Sequence, residues 1–303
     1  MAEINWNAVY GFWLVAGHGS FASAAKTLPR GSIQALHKRV RQLENPENLD
    51  LKLLKSRGVK GTQLTEAGRR LHDFVDPVFR SFELLTAELR GEDSGPLAVA
   101  MSWYAIANYA EKILQPFHRL FPAVSIRLVG GEPAEAVPLL EQGRVDVVIS
   151  SPWAGSSRMV VKAAVPIQFG LIAVPRYRLR TPLTWDTVLE HPFVLTDRNS
   201  VIRQAFEDLL RREKLLSRLR ITAEVATLDL AIYAVRAGLG VGLVPVSPAL
   251  ARSLRGLRRR RPPPGLPRVD LAVMCRSDVY LPRYMRTFVE IAAGKIGART
   301  ALV

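Results

Sequence analysis

The chain has 303 residues, enough for two or three domains that each bury a core, and its hydrophobic content of 48% agrees. A net charge of +15 points to a polyanionic partner, with nucleic acid ahead of anionic membrane because no basic amphipathic surface helix stands out. The single Cys275 excludes an internal disulfide, no stretch reaches the roughly 18–20 apolar residues of a membrane span, and no basic segment with an apolar core opens the chain, so a cytoplasmic protein without membrane contact is expected.

In chain order, INWNAVYGFWLVA places Ile4, Val9, Phe12, Trp13 and Ala16 near helical spacing and ends at Gly17-His18-Gly19. Ser20 is placed to cap FASAAKTL, whose alanines permit close helix approach. Pro29-Arg30-Gly31 makes a turn and Ser32 caps a third helix. In that helix Gln34, His37, Lys38 and Arg41 fall at i, i+3, i+4 and i+7, one polar and basic face, while Ile33, Leu36, Val40 and Leu43 take the other. NPEN then breaks the helix, and LDLKLLKSRGVKGTQLT reads as two short strands around a basic, glycine-containing turn, a wing. Together these are the parts of a DNA reader. The helix face offers side chains for base edges in a major groove about 12 Å wide, and Lys55, Arg57 and Lys60 can hold the flanking phosphates.

From Thr65 one longer helix carries Leu71, Phe74, Val78, Phe82, Leu85 and Leu89 as an apolar stripe, and Pro77 predicts a kink. The stripe needs a partner: the same helix of a second subunit, or the wing of its own chain. Beyond Pro96 strands and helices alternate. LAVAMS, VSIRLVGG and VDVVISS read as strands with helices WYAIANYAEKILQPFHRLF and PAEAVPLLEQG between them, the order of a parallel sheet with crossover helices. QFGLIAV, PFVLTD, RITAEVA and VGLVP repeat the logic around helices SVIRQAFEDLLRREKL and LDLAIYAVRAGLG, followed by VDLAVMC and a last helix from Pro282. Two small α/β lobes fit this series. Cys275, inside VDLAVMCRS, is expected buried, and the arginine-rich residues 255–268 read as a solvated loop, with accessory phosphate contact as the alternative.

The five histidines are scattered, no nucleophile elbow or phosphate-cradling loop appears, and the run from Gly238 to Gly242 follows a helix and precedes a strand, which makes it a helix cap and tight return. No enzyme activity, metal or cofactor is expected. Ligands of two-lobed α/β proteins bind beyond the carboxyl ends of the strands, where Ser102, Trp103, Ser150, Ser151, Thr196 and Thr227 stand. Ser102 and Thr227 also precede helices, whose N-termini favour a carboxylate or other small anion, and Trp103 or Trp153 can wall an aromatic acid.

GSFASAAKTL, ALHKRVRQLE and LTEAG resemble the N-terminal winged helix-turn-helix of LysR-type transcriptional regulators. LQPFHRLFPAVSIRLVGG, LLEQGRVDVVIS and VRAGLGVGLVP resemble the effector-binding domain of the same family, so the resemblance spans essentially the whole chain. It implies an α/β protein with a winged helix-turn-helix domain at 1–64, a linker and dimerisation helix at 65–91, and a periplasmic-binding-protein-like effector-binding domain at 92–303. Lobe I would take about 96–163 plus 267–295 and lobe II about 164–266. The implied function is sequence-specific binding of an interrupted inverted repeat by a homodimer or homotetramer, with RNA polymerase as a further partner and with DNA bending that changes when a small molecule, read above as an organic acid, enters between the lobes. The alternatives are a two-lobed small-molecule binding protein without a transcriptional role and an effector-independent DNA-binding protein. At the start of the recognition helix the chain departs from the family: Ile33 stands where a base-reading Gln is usual, His37 replaces a Ser, and Gln34 is placed to take over the reading.

Overall fold

In the computed structural model of the protein, residues 5–28, 32–56, 61–152, 159–179, 182–247 and 249–297 are described. The chain forms two compact units, one of Met1–Glu92 with Asp278–Pro282, the other of Asp93–Ser277 with Arg283–Val303.

The first unit holds α1 (Trp6–His18), α2 (Phe21–Ala25), α3 (Ile33–Glu44), the strands β1 (Leu54–Ser56) and β2 (Thr62–Leu64), and the long α4 (Glu66–Leu89). Each helix starts at a side chain that takes a free backbone N–H: Asn5 from Ala8, Ser20 from Ser23, Ser32 from Ala35 and Thr65 from Gly68. The buried set Phe12, Val15, Ala24, Leu36, Val40, Leu43 and Leu53 forms one core under the three short helices. Ile33 differs from expectation. It lies on the same helix face, but in the first turn, beyond the packed part, and is 46% exposed. Ile4 and the turn Pro29-Arg30-Gly31 lie outside the described residues.

The second unit runs β3 (Gly95–Met101), α5 (Trp103–Leu120), β4 (Val124–Gly130), α6 (Pro133–Glu141), β5 (Val147–Ser150) and β6 (Met159–Pro166). It continues with β7 (Phe169–Ala173), α7 (Trp185–Val188), β8 (Phe193–Thr196), α8 (Val201–Arg212), β9 (Ile221–Val225), α9 (Leu228–Arg236), β10 (Val241–Pro245) and β11 (Arg258–Arg260). Then β12 (Asp270–Arg276) and α10 (Arg283–Ile296) close it. One five-stranded sheet has the order β4-β3-β5-β12-β6 and the other β11-β7-β10-β8-β9, and we call them lobe I and lobe II. The sheets are mixed, not parallel throughout. Crossover helices link β3, β4 and β5, which are parallel, whereas β12 runs antiparallel to β5 and β6, and β7 antiparallel to β10 and β11.

Two segments escaped the sequence reading. β6 has no clean alternation, and β11 lies inside the arginine-rich run expected to be a loop. Pairing of Arg258–Arg260 with β7 uses backbone groups only, so exposed arginines do not prevent it, and Pro262 ends the strand because it has no N–H to give. Cys275 is fully buried in β12, and that burial pushes its thiol pKa up. Gly238, at φ +80°, ends α9 by donating to the Val235 carbonyl at 2.8 Å, and Gly240 lies so close to the Pro192 carbonyl that a Cβ would come within 2.5 Å of its oxygen.

Candidate functional site

The face of α3 opposite the core carries Gln34, His37, Lys38 and Arg41, all exposed, with the cap Ser32 exposed at the helix start. Burial of Leu36, Val40 and Leu43 fixes the rotation of the helix and so points that face outward. His37 is not a free member of the set: its ring stacks on Phe21 of α2 at 3.7 Å between centroids. The wing is tied to both ends of the helical unit. Glu44 at the end of α3 accepts from the N–H groups of Leu53 at 2.8 Å and Leu54 at 3.2 Å and pairs with Lys52 at 2.9 Å. On the other side Thr62 donates to the Gly19 carbonyl at 2.8 Å. Lys55 is exposed on β1 opposite Gln63. Arg57 and Lys60, the other wing residues expected to touch phosphates, lie outside the described residues.

α4 runs unbroken through Pro77 and has two apolar faces. Val75 is buried and Leu71 and Phe79 pack against the helical core, so Leu71 does not belong to the free stripe. The reason is register: a helix anchored at Thr65 turns its first apolar positions toward α1. Asp76 adds a polar tie, accepting from Trp13 Nε1 at 2.9 Å and Arg80 Nε at 3.0 Å. The rest of the stripe stands free, with Phe74 71% and Phe82 67% exposed and Val78, Leu85 and Leu89 exposed beside them.

In lobe I the registers Met101↔Gly130 and Met101↔Ile149 set Gly131, Ser102 and Ser150 in one row across the carboxyl edge. Gly131 donates to the Met101 carbonyl at 3.2 Å and Ser102 to that of Ile149 at 3.0 Å. Ser102 Oγ caps α5, accepting from Ala105 N–H at 3.3 Å. Ser150 is fully buried and its Oγ has no hydrogen-bond partner among the described residues; Ser151 is buried next to it. Trp103 rises half-exposed against Gly130, where a Cβ would come within 2.7 Å of the indole. Trp153 lies outside the described residues. In lobe II Thr196 ends β8, Asp197 donates to the Val225 carbonyl at 3.0 Å, and Thr227, two residues on, caps α9 through Leu230 N–H at 3.4 Å. The six expected residues therefore fall into two groups, one at each sheet edge.

Three further residues at these edges were missed. Glu132, next after Gly131, is half-buried, and its burial, then the charges of Asp197 and Glu135, push its carboxyl up to about 7. Asp197, which belongs to lobe II, is thus near enough to act on a carboxylate of lobe I. Arg203 is buried and donates to the Thr196 carbonyl and Glu224 at 2.9 Å and to Glu207 at 2.5 Å. Burial disfavours its charge, but the two carboxylates more than offset this and keep its pKa above the ordinary value. Glu132 and Asp197 directly follow strand-end segments already singled out, so the same positional rule reaches them once carboxylates are considered beside hydroxyls. Arg203 lies in the first turn of α8, among the other charged residues of that helix, and gives no such signal.

Residues 90–296 match the model of the LysR substrate binding domain. The chain is 26% identical over 313 residues to the HTH-type transcriptional regulator PtxR of Pseudomonas aeruginosa, covering 97% of this chain and 94% of that one. It is 24% identical over 219 residues to the HTH-type transcriptional regulator Cbl of Escherichia coli, covering 70% and 68%. Its fold is similar to that of a full-length OxyR variant from Pseudomonas aeruginosa, with a TM-score of 0.69, 16% identity and coverage of 98% and 95%. A helix-turn-helix with a wing, joined in one chain to two α/β lobes that match this domain model, has one reading: the chain belongs to the LysR family of transcriptional regulators.

Proposed function

We propose that this regulator binds its operator as a homodimer, or as a homotetramer built from such dimers, and that a small organic acid held between the lobes changes the binding. The observation that carries the reading is the outer face of α3. Gln34, Lys38 and Arg41 stand exposed on a helix whose other side is locked in the core, so their side chains keep a fixed direction toward a major groove. Ser32, His37 and Lys55 lie beside them, and Arg57 and Lys60 join through their place in the wing sequence. The free stripe of α4 supports the dimer. Hydroxyls of Ser102, Ser150, Ser151, Thr196 and Thr227, Trp103 as a wall, and the N-terminus of α5 support the acid. We take 1–64 as the DNA-binding domain, 65–91 as the linker helix and 92–303 as the effector domain, acting in the cytoplasm with RNA polymerase as a partner.

Footprinting on DNA flanking its own gene tests the reading. A protected pseudo-palindrome with half-sites about 10 base pairs apart, or a multiple of that, is expected; uniform, salt-labile coverage overturns it. Lys38→Ala and Arg41→Ala then sort the contacts. A loss of about 1–3 kcal/mol confined to one base position marks direct readout, and a uniform loss marks phosphate.

A further inference from the structure

Much of the chain's positive charge lies where the α3 face makes no use of it. Between Asp229 and Asp270 there are eight arginines and no lysine, Asp or Glu, against a net charge of +15 for the whole chain. Arg252, Arg255 and the run Arg258–Arg261 are all exposed, and among the described residues no carboxylate pairs with any of these six. Arg268 differs, since it pairs with Asp270 at 2.8 Å.

A solvated charge run needs no fixed backbone, yet this one is fastened on both sides. Before the strand, Leu254 is buried with Ile172 and Val235 in a core cluster of lobe II, and Leu257 packs against the same cluster. Arg258, Arg259 and Arg260 then pair with Ala173, Ile172 and Leu171 of β7. After the strand, Trp185 Nε1 donates to the Pro264 carbonyl at 2.9 Å and Arg212 Nη2 to the Gly265 carbonyl at 3.0 Å. The backbone under the arginines is therefore ordered before any anion arrives, and binding one costs less entropy. β11 is the outermost strand of its sheet, and charge on an edge strand blocks pairing with another chain. That accounts for Arg258–Arg260 but not for Arg252, Arg255 and Arg261, which lie off the strand. Lysine serves edge protection as well, whereas the planar guanidinium fork matches phosphate oxygens in pairs.

We propose that this arginine strip of lobe II is a second, sequence-independent DNA contact that holds phosphates of the duplex bound by α3. This rests on the operator binding proposed above and adds a surface to it. Charge complementarity selects the partner. An antiparallel strand advances about 3.4 Å per residue, and one strand of a duplex advances about 3.4 Å along the axis per phosphate, so the run Arg258–Arg261 keeps pace with successive phosphates. A duplex held by the first unit is tethered to the strip through the one chain, and that raised effective concentration makes weak contacts count.

The test uses the full-length protein, a duplex of the DNA flanking its own gene, and a random-sequence duplex of equal length, titrated between about 50 and 200 mM salt. With Arg258→Gln, Arg259→Gln and Arg260→Gln combined, the slope of log K against log salt should become shallower by about 2–3 on both duplexes, at about 0.9 per phosphate contact. The same three positions changed to Lys should keep the wild-type slope, which a damaged edge strand would not. Arg252→Gln with Arg255→Gln leaves the strand untouched and should make the slope shallower by about 1–2. Unaltered slopes in both Gln variants overturn the proposal, as does a slope lost equally in the Lys variant. If the slopes hold while the Gln variants lose binding to phosphatidylglycerol vesicles, the strip faces an anionic membrane and the DNA contact is overturned. Footprinting separates the two levels. A protected pseudo-palindrome with unaltered slopes removes only the strip, whereas slopes that depend on the strip without a pseudo-palindrome keep the strip and remove the operator reading.

Discussion

Glu132 shows what one side chain does when its environment opposes its charge. Its ordinary pKa is 4.5 and its folded value about 7, with burial the main cause and Asp197 the next. Below about pH 4.5 it is protonated folded or unfolded and costs nothing; between about 4.5 and 7 the unfolded chain ionises first, so stability falls as pH rises, and above about 7 the full penalty applies. Glu132→Gln removes the penalty. In thermal melts without ligand the variant should therefore be more stable than wild type at about pH 8, with the difference shrinking as the pH falls toward about 5. Equal melting curves at high pH would mean that Glu132 is solvated like a surface carboxylate. Ser150 is a second residue of this kind, since its hydroxyl gave up water for no partner among the described residues.

At the scale of elements, the recognition helix is held less by its own propensity than by what its ends grip. Glu44 takes the N–H groups of Leu53 and Leu54, and Leu53 is buried, so Glu44→Ala leaves donors unsatisfied at the start of the wing. The expected cost is about 1–3 kcal/mol in a denaturation curve, and Lys52→Ala should cost far less because that ion pair is largely exposed on the lysine side. Comparable losses for the two variants would assign the effect to the ion pair. α4 divides its apolar residues between two jobs. Val75, Phe79 and Leu71 hold it to the helical core, while Phe74, Val78, Phe82, Leu85 and Leu89 stay free. Burying large side chains of this kind is worth about 1.5–3 kcal/mol each, so Phe82→Glu should yield monomers by light scattering at micromolar concentration. An oligomer of unaltered mass would place the seam on another surface. Phe79→Glu should instead unfold the first unit, because Phe79 packs against Trp6, Tyr10 and Trp13.

For the whole molecule, the consequence lies in the separation of tasks. The helix proposed to face DNA belongs to one compact unit and the strand edges proposed to hold a ligand belong to the other. Ser102→Ala and Thr227→Ala remove hydroxyls that also cap α5 and α9, at about 1 kcal/mol each. Both should weaken ligand binding, and gel-shift titrations should lose the ligand-dependent change in operator binding while titrations without ligand give a wild-type midpoint. A shifted midpoint without ligand would show that damage to the effector unit reaches the DNA-binding unit directly.

Much of this was legible in the sequence. Caps at Ser20, Ser32, Thr65, Ser102 and Thr227 were readable because a capping oxygen acts within three residues of its target, and the polar face of α3 because helical period is a local property. The end of α9 at Gly238 was readable for the same reason. What tertiary structure decided are pairings between distant segments. The antiparallel returns of β12 and β11, the stacking of His37 on Phe21, and the capture of Leu71 by the helical core depend on which surfaces meet. So does the environment of Glu132. Glu132 and Asp197 are ordinary carboxylates 65 positions apart in the chain, and only the fold brings the second near enough to raise the pKa of the first, because electrostatic coupling depends on distance through space and on excluded water.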